Sequence, residues 1–187
     1  FTLHGLWPNQ QQCGIDYGFC GKIKQKQENF CDYPAIDLDT VSRNSLAEVM
    51  PSVSAGSCLE RHEWHKHGTC QAHWSAQQYY ALSADLTRQF NDSGMAYFMN
   101  RRIGQVVRTE DFMNRLTAVL GEAARNRIKL ICKQDMLVEV QLMLAASLTF
   151  GHDLEALIVA APSQQADSEC GSTFRVDPIG LNQKNAQ

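Results

Sequence analysis

The hexapeptide HEWHKH places His62, Glu63, His65, Lys66 and His67 within one short stretch of the chain. Imidazole is the side chain whose ordinary pKa lies nearest neutrality, so such a cluster suits proton transfer or metal binding. Another histidine, His4, stands in the opening stretch FTLHGLWP, close before Trp7. Two short segments that pair histidine with tryptophan, one of them also carrying glutamate and lysine, are what acid–base chemistry at a phosphodiester requires.

On a helix turning by about 100° per residue, His62, Lys66, Glu63 and His67 fall near 0°, 40°, 100° and 140° and share one face. Trp64 falls near 200°, where it can anchor the helix to a core, and His65 near 300°, at the edge of the patch. The zinc-protease pattern H-E-x-x-H needs its second histidine at position 66, but Lys66 is a poor ligand and repels a cation. His65, His67, Cys70 and His73 form another donor set whose spacing matches no common zinc site. Neither a metal nor a cofactor is expected. The plain alternative is a solvated helix face, and the context of His4 argues against it.

These side chains need elements to hold them. Residues 1–7 alternate like a strand that Pro8 ends. Within it His4 takes one face, Gly5 admits a substrate to the backbone, and Trp7 offers a stacking surface. Residues 8–38 read as a long looped region that needs stapling. Asp39 or Thr40 caps a helix through VSRNSLAEVM, which Pro51 stops. PSVSAGSC reads as a loop, and the next helix carries LERHEWHKHG to a C-cap at Gly68. Ser75 caps AQQYYALSADLTRQF, where Tyr79, Leu82, Leu86 and Phe90 recur at helical spacing. A short helix lies around MAYFMNR, and Thr109 opens TEDFMNRLTAVLGEAAR. RIKLICK, MLVEVQLML, LEALIVAA and TFRVD read as strands. The prediction is an α+β fold with a central, largely antiparallel sheet packed with helices, in a single domain over residues 1–187.

Composition narrows the function classes. The chain has 187 residues, 44% hydrophobic and 20% charged, which is an ordinary globular balance. A net charge of −3 and a pI near 6.1 argue against coating nucleic acid through many phosphate contacts. They leave room for an enzyme that handles one or two phosphates in a local pocket. The longest apolar runs are too short to span a bilayer, so no membrane partner is expected. Seven cysteines, dispersed and without a C-x-x-C pair, point to disulfides in an oxidising compartment, periplasmic or secreted. Seven is odd, and the abrupt start on FTLHGLW suggests a preceding piece that carries an eighth.

FTLHGLWP and HEWHKHGTC resemble, in order and over their full length, the two signature segments of the ribonuclease T2 family of secreted acid ribonucleases. Weaker similarity runs through SCLERHEWHKHGTC, SADLTRQF, IKLICK and CGSTFRVD, and the chain looks like a bacterial-type member. The resemblance implies an endoribonuclease that cleaves single-stranded RNA, not DNA, without metal, through a 2′,3′-cyclic phosphate. Matched residue by residue, it makes His67 the base, His4 the acid and His62 a phosphate contact, while Glu63 and Lys66 stabilise developing charge and Trp7 flanks the substrate. Asn9 stands where the family often has an acidic residue, so low base specificity is expected. The resemblance also pairs Cys31 with Cys70, Cys132 with Cys170 and Cys13 with Cys20. Cys58 is then left for a cleaved N-terminal peptide, in a segment that supplies a strand of the family's sheet. The rival readings are a T2-like protein that has lost catalysis and binds RNA or a partner, and a zinc-dependent hydrolase.

Overall fold

Of the two caps the sequence offers, Asp39 starts the first helix and Thr40 is its first residue. The Asp39 side chain accepts the Ser42 N–H at 2.6 Å, and α1 runs Thr40–Val49. The computed structural model describes residues 1–9, 17–163 and 167–178, and it divides into two compact units, Phe1–Arg88 and Gln89–Gln187.

In the first unit α1 is followed by one helical turn, α2 (Ser52–Ala55), inside the stretch expected as loop. Then come α3 (Leu59–Lys66), a 3-10 turn at Gly68–Cys70, and α4 (Ala76–Phe90), inside which the unit ends. Ser75 and Gln78 cap α4 reciprocally: the Ser75 hydroxyl accepts the Gln78 N–H at 3.3 Å, and the Gln78 side chain accepts the Ser75 N–H at 3.0 Å. The helical spacing read from the sequence holds, because Tyr79, Leu82, Leu86 and Phe90 are all buried. The core of this unit gathers Leu46, Val49 and Met50 from α1 and its end with Tyr79, Tyr80 and Ala84 of α4. Leu3, Leu6 and Trp64 pack against it.

The opening segment is not a strand. Residues 1–9 hold no helix or strand. The Leu3 N–H donates to Val49 O at 2.7 Å, and Tyr79 Oη both donates to Leu6 O at 2.5 Å and accepts the Leu6 N–H at 3.2 Å. The segment's backbone groups thus bond to a helix end and a buried phenol rather than to a ladder.

The second unit holds the sheet and more helices: α5 (Ala96–Asn100), β1 (Val106–Arg108), α6 (Thr109–Leu120), β2 (Ile128–Lys133), β3 (Met136–Leu142), α7 (Leu154–Ala160), β4 (Asp167–Ser168) and β5 (Thr173–Arg175). Among the described residues the strands are ordered β1-β5-β3-β2-β4. The long β2–β3 hairpin and the β1–β5 pair are antiparallel, while short parallel contacts join β2 to β4 and β3 to β5. The α+β class stands, and the sheet is mixed. Phe112 of α6 meets Phe174 of β5 and Phe98 of α5 edge-on at 5.8 and 6.3 Å, and all three rings are buried.

LEALIVAA folds as α7, not as a strand. Asp153 caps it by accepting the Ala156 N–H at 3.0 Å, and Leu154, Leu157 and Ile158 are buried at helical spacing. A short apolar run is ambiguous by pattern alone, and here the cap and the helix-favouring Leu, Glu and Ala decide. β1 was not legible: three residues, with only Val107 buried, give no pattern to find.

Candidate active site

Helix α3 carries the hexapeptide, and its ends are fastened by covalent bonds. At its N-terminus Cys58, in the left-handed conformation, is bonded to Cys31. Just past its C-terminus Cys70 is bonded to Cys20. Beside that second bond the Phe19 N–H donates to Lys66 O at 2.7 Å, and the Gly21 N–H to Thr69 Oγ1 at 3.1 Å. The segment around Phe19 and Gly21 therefore runs strapped along the end of the helix.

These bonds correct the pairing expected from the resemblance. Cys70 joins Cys20 rather than Cys31, and Cys31 joins Cys58, which is thus not held for a separate peptide. Cys132–Cys170 forms as expected, bridging β2 to the segment before β5. Cys13 lies outside the described residues, and its supposed partner Cys20 is taken by Cys70. The three disulfides fit an oxidising compartment.

Trp64 turns to the core, edge-on to Tyr79 at 5.5 Å, as the helical wheel requires. Its indole lies over Gly68, where a Cβ would stand 2.2 Å from the ring. The opposite side meets the opening segment. Glu63 is almost completely buried, and its Oε2 accepts the Trp7 indole N–H at 2.7 Å. Its Oε1 lies 3.5 Å from Nε2 of His4, a side chain that is 48% exposed. The Trp7 ring meets His4 edge-on at 5.1 Å and lies tilted over His67 at 5.2 Å. His4, Trp7, Glu63 and His67 thus form one cluster, drawn from the two segments singled out in the sequence. The close approach at Gly5 is made by the Glu63 carboxyl: a Cβ there would lie 2.1 Å from Oε2.

His67 ends α3. It is the C-cap residue, its N–H still bonded to Glu63 O at 2.9 Å, and its ring is buried with no hydrogen-bond partner for Nδ1 among the described residues. Burial first, then the Lys66 ammonium and the neighbouring His62 and His4, lower its pKa from 6.5 to about 3. An imidazolium there would hold a buried N–H without an acceptor, which favours the neutral ring.

His62 sits against a different wall. Its ring stacks on Phe30 at 4.3 Å and 9°, and Nδ1 lies 3.1 Å from Tyr33 Oη. Burial, followed by Lys66, Lys26 and His4, lowers its pKa to about 4. His65, at the edge of the patch as expected, serves structure: it stacks on Tyr33 and its Nε2–H donates to Pro34 O at 3.1 Å. The supposed zinc set loses two of its donors, since Cys70 is in a disulfide and His65 is bonded to a carbonyl. Among the described residues no other group of His, Cys, Asp and Glu is placed to hold a metal ion. Sequence reasoning missed Phe30 and Tyr33. Two aromatic residues flanking a cysteine in a polar stretch were the available signal.

The family model of the ribonuclease T2 family matches residues 1–158. The chain belongs to the ribonuclease T2 family. It is 27% identical over 199 residues to Ribonuclease I of Escherichia coli K12, covering 96% of this chain and 72% of that protein. It is 32% identical over 94 residues to a Ribonuclease of Aeromonas hydrophila, covering 50% of this chain and 34% of that protein. In fold, this T2-family chain is similar to an RNase MC1 mutant in complex with 5′-GMP, with a TM-score of 0.56 at 20% identity, over 93% of this chain and 83% of that one. RNase MC1 comes from bitter gourd seeds. It is also similar to the Nicotiana alata SF11-RNase, with a TM-score of 0.55 at 17% identity, over 94% and 84% of the two chains. Family and fold together support an endoribonuclease.

Proposed function

We propose that the chain, acting as a single catalytic domain in the periplasm or outside the cell, cleaves single-stranded RNA by acid–base transphosphorylation with little base preference. The 2′-OH beside the scissile phosphate is the nucleophile. His67 takes its proton, His4 protonates the leaving 5′-oxygen, and the product is a 2′,3′-cyclic phosphate. Lys66 stabilises charge on the phosphoryl oxygens, His62 donates to one of them, and Glu63 orients His4 and Trp7 from beneath. Trp7 keeps the two imidazoles apart and flanks the substrate.

The observation that carries this reading is the sharing of Trp7 by His4 and His67 over one buried carboxyl. Two proton-transfer groups of the same type, brought from distant segments to one indole, suit a reaction that removes one proton and delivers another. His67 is held neutral, ready to accept; His4 is exposed and backed by Glu63, suited to donate.

The test is cleavage of a single-stranded RNA oligonucleotide in excess EDTA, beside its 2′-deoxy counterpart. The RNA should be cut to cyclic-phosphate ends and the deoxy strand left intact, since it lacks the nucleophile. His4→Ala and His67→Ala should each lower turnover by roughly 10²–10⁴-fold. Near wild-type rates in either variant, a cut in the deoxy strand, or activity lost to EDTA and restored by zinc would overturn the mechanism.

A further inference from the structure

The wall around His62 holds more order than packing requires. Tyr33 is 1% exposed, and its hydroxyl has two partners: the Gln27 N–H donates to it at 2.9 Å, and His62 Nδ1 lies 3.1 Å away. A backbone N–H can only donate, so Gln27 occupies a lone pair of the phenol and leaves the phenol proton to be given elsewhere. Nδ1 is the acceptor within reach among the described residues. If Nδ1 carried a proton instead, two donors would converge on the phenol oxygen, and the buried O–H would have no acceptor. The chain of bonds therefore runs in one direction, from Gln27 N–H to Tyr33 O–H to His62 Nδ1. The imidazole proton is left on Nε2, which has no hydrogen-bond partner among the described residues.

The assembly that presents the phenol is itself fixed to the helix that carries His62. The Cys31–Cys58 disulfide ties the Phe30–Asp32 turn to the start of α3. Arg61, the neighbour of His62, donates through Nη1 to Cys31 O at 3.0 Å and Tyr33 O at 3.2 Å. Phe30 stacks on His62, and Lys26 Nζ lies 5.7 Å from the Phe30 ring centroid.

We propose that Tyr33 is a positioning residue: it fixes His62 as the Nε2–H tautomer, so that a neutral imidazole donates a hydrogen bond to a phosphate oxygen of the substrate. The proposal rests on the reading of His62 as the phosphate contact. It makes the contribution of His62 directional, an N–H dipole aimed at one oxygen, and leaves the positive charge to Lys66. The groups that face His62 support this division, since Lys66, Lys26 and His4 all oppose a charge on its ring.

The experiment uses the whole chain labelled with nitrogen-15. Long-range proton–nitrogen correlations of the His62 ring near pH 6 should show the Nε2–H tautomer in the wild-type protein, a measurement that needs no variant. Tyr33→Phe keeps the ring that stacks on His65 and removes only the hydroxyl. In this variant the His62 tautomer should shift toward a mixture, inorganic phosphate should bind roughly tenfold more weakly, and kcat/KM for RNA should fall by a similar factor. A wild-type His62 protonated at Nδ1 overturns the proposal. So does a Tyr33→Phe variant whose tautomer shifts while its phosphate affinity stays unchanged. Failure of the ribonuclease mechanism would appear separately, as full cleavage by His67→Ala, and would leave the tautomer readable.

Discussion

Lys66 adds to burial in lowering the proton affinity of both imidazoles beside it. After burial it is the leading cause that lowers His67 to about 3 and His62 to about 4. The acid limb of kcat/KM reports the essential base of the free enzyme, so it should lie well below the 6.5 of an ordinary imidazole, and activity should persist at pH 5. Lys66→Met removes the charge and keeps the apolar stem. The sign follows from charge repulsion: without the ammonium each imidazole binds a proton more readily, so the acid limb moves upward toward 6.5. The same variant should lose roughly 10²-fold in kcat, because charge developing on the phosphate loses its counter-ion. A pH–rate profile of the two proteins checks both, and an unmoved acid limb would mean that Lys66 does not face the base.

The elements around the site work by exclusion and by fastening. The opening segment reaches the cluster because Gly5 leaves room for the Glu63 carboxyl and the Trp7 indole, whose Nε1 would lie 2.6 Å from a Cβ there. Gly5→Ala should therefore displace Glu63 or Trp7. A destabilisation of about 1–3 kcal/mol is expected from the overpacking, together with a fall in kcat, read from thermal unfolding and from turnover. An unchanged melting point with unchanged kcat would show that the segment moves aside freely. Helix α3 needs more than its own propensity, since it is only Leu59–Lys66 and starts without a side-chain cap. Two disulfides and the backbone bond from Phe19 to Lys66 O hold it where short isolated helices fray.

Over the whole molecule, neutral buried histidines link stability to pH. In the folded chain His62 and His67 take up protons only near pH 4 and 3, while in the unfolded chain they do so near 6.5. Above 6.5 both states hold them neutral and stability gains nothing. Between 6.5 and those lower values the unfolded chain binds more protons, so stability falls as the pH drops. The melting temperature should decline by several degrees from pH 7 to pH 4, and the decline should be shallower in a His62→Gln, His67→Gln double variant. Calorimetry at the two pH values decides, and parallel declines would remove these histidines as the cause. The protein is thus expected to work in acid while being less stable there, with three disulfides to offset the loss.

The hexapeptide's spacing by itself placed His62, Glu63, Lys66 and His67 on one helix face and Trp64 on the core side, because the period of a helix is local. Helix caps at Asp39 and Ser75 were legible for the same reason: each is settled within a few residues. Only the tertiary structure decided what the opening segment bonds to, that LEALIVAA is a helix, and that Phe30 and Tyr33 wall in His62. Disulfide pairing belongs there too, since even the six bonded cysteines admit 15 pairings, before choosing which of the seven stays out, and only the approach of the backbones selects among them. The dividing line is range. What neighbours along the chain dictate can be read from sequence, whereas the partner of a buried carboxyl, a phenol or a thiol is chosen by residues far away, once packing has brought them close.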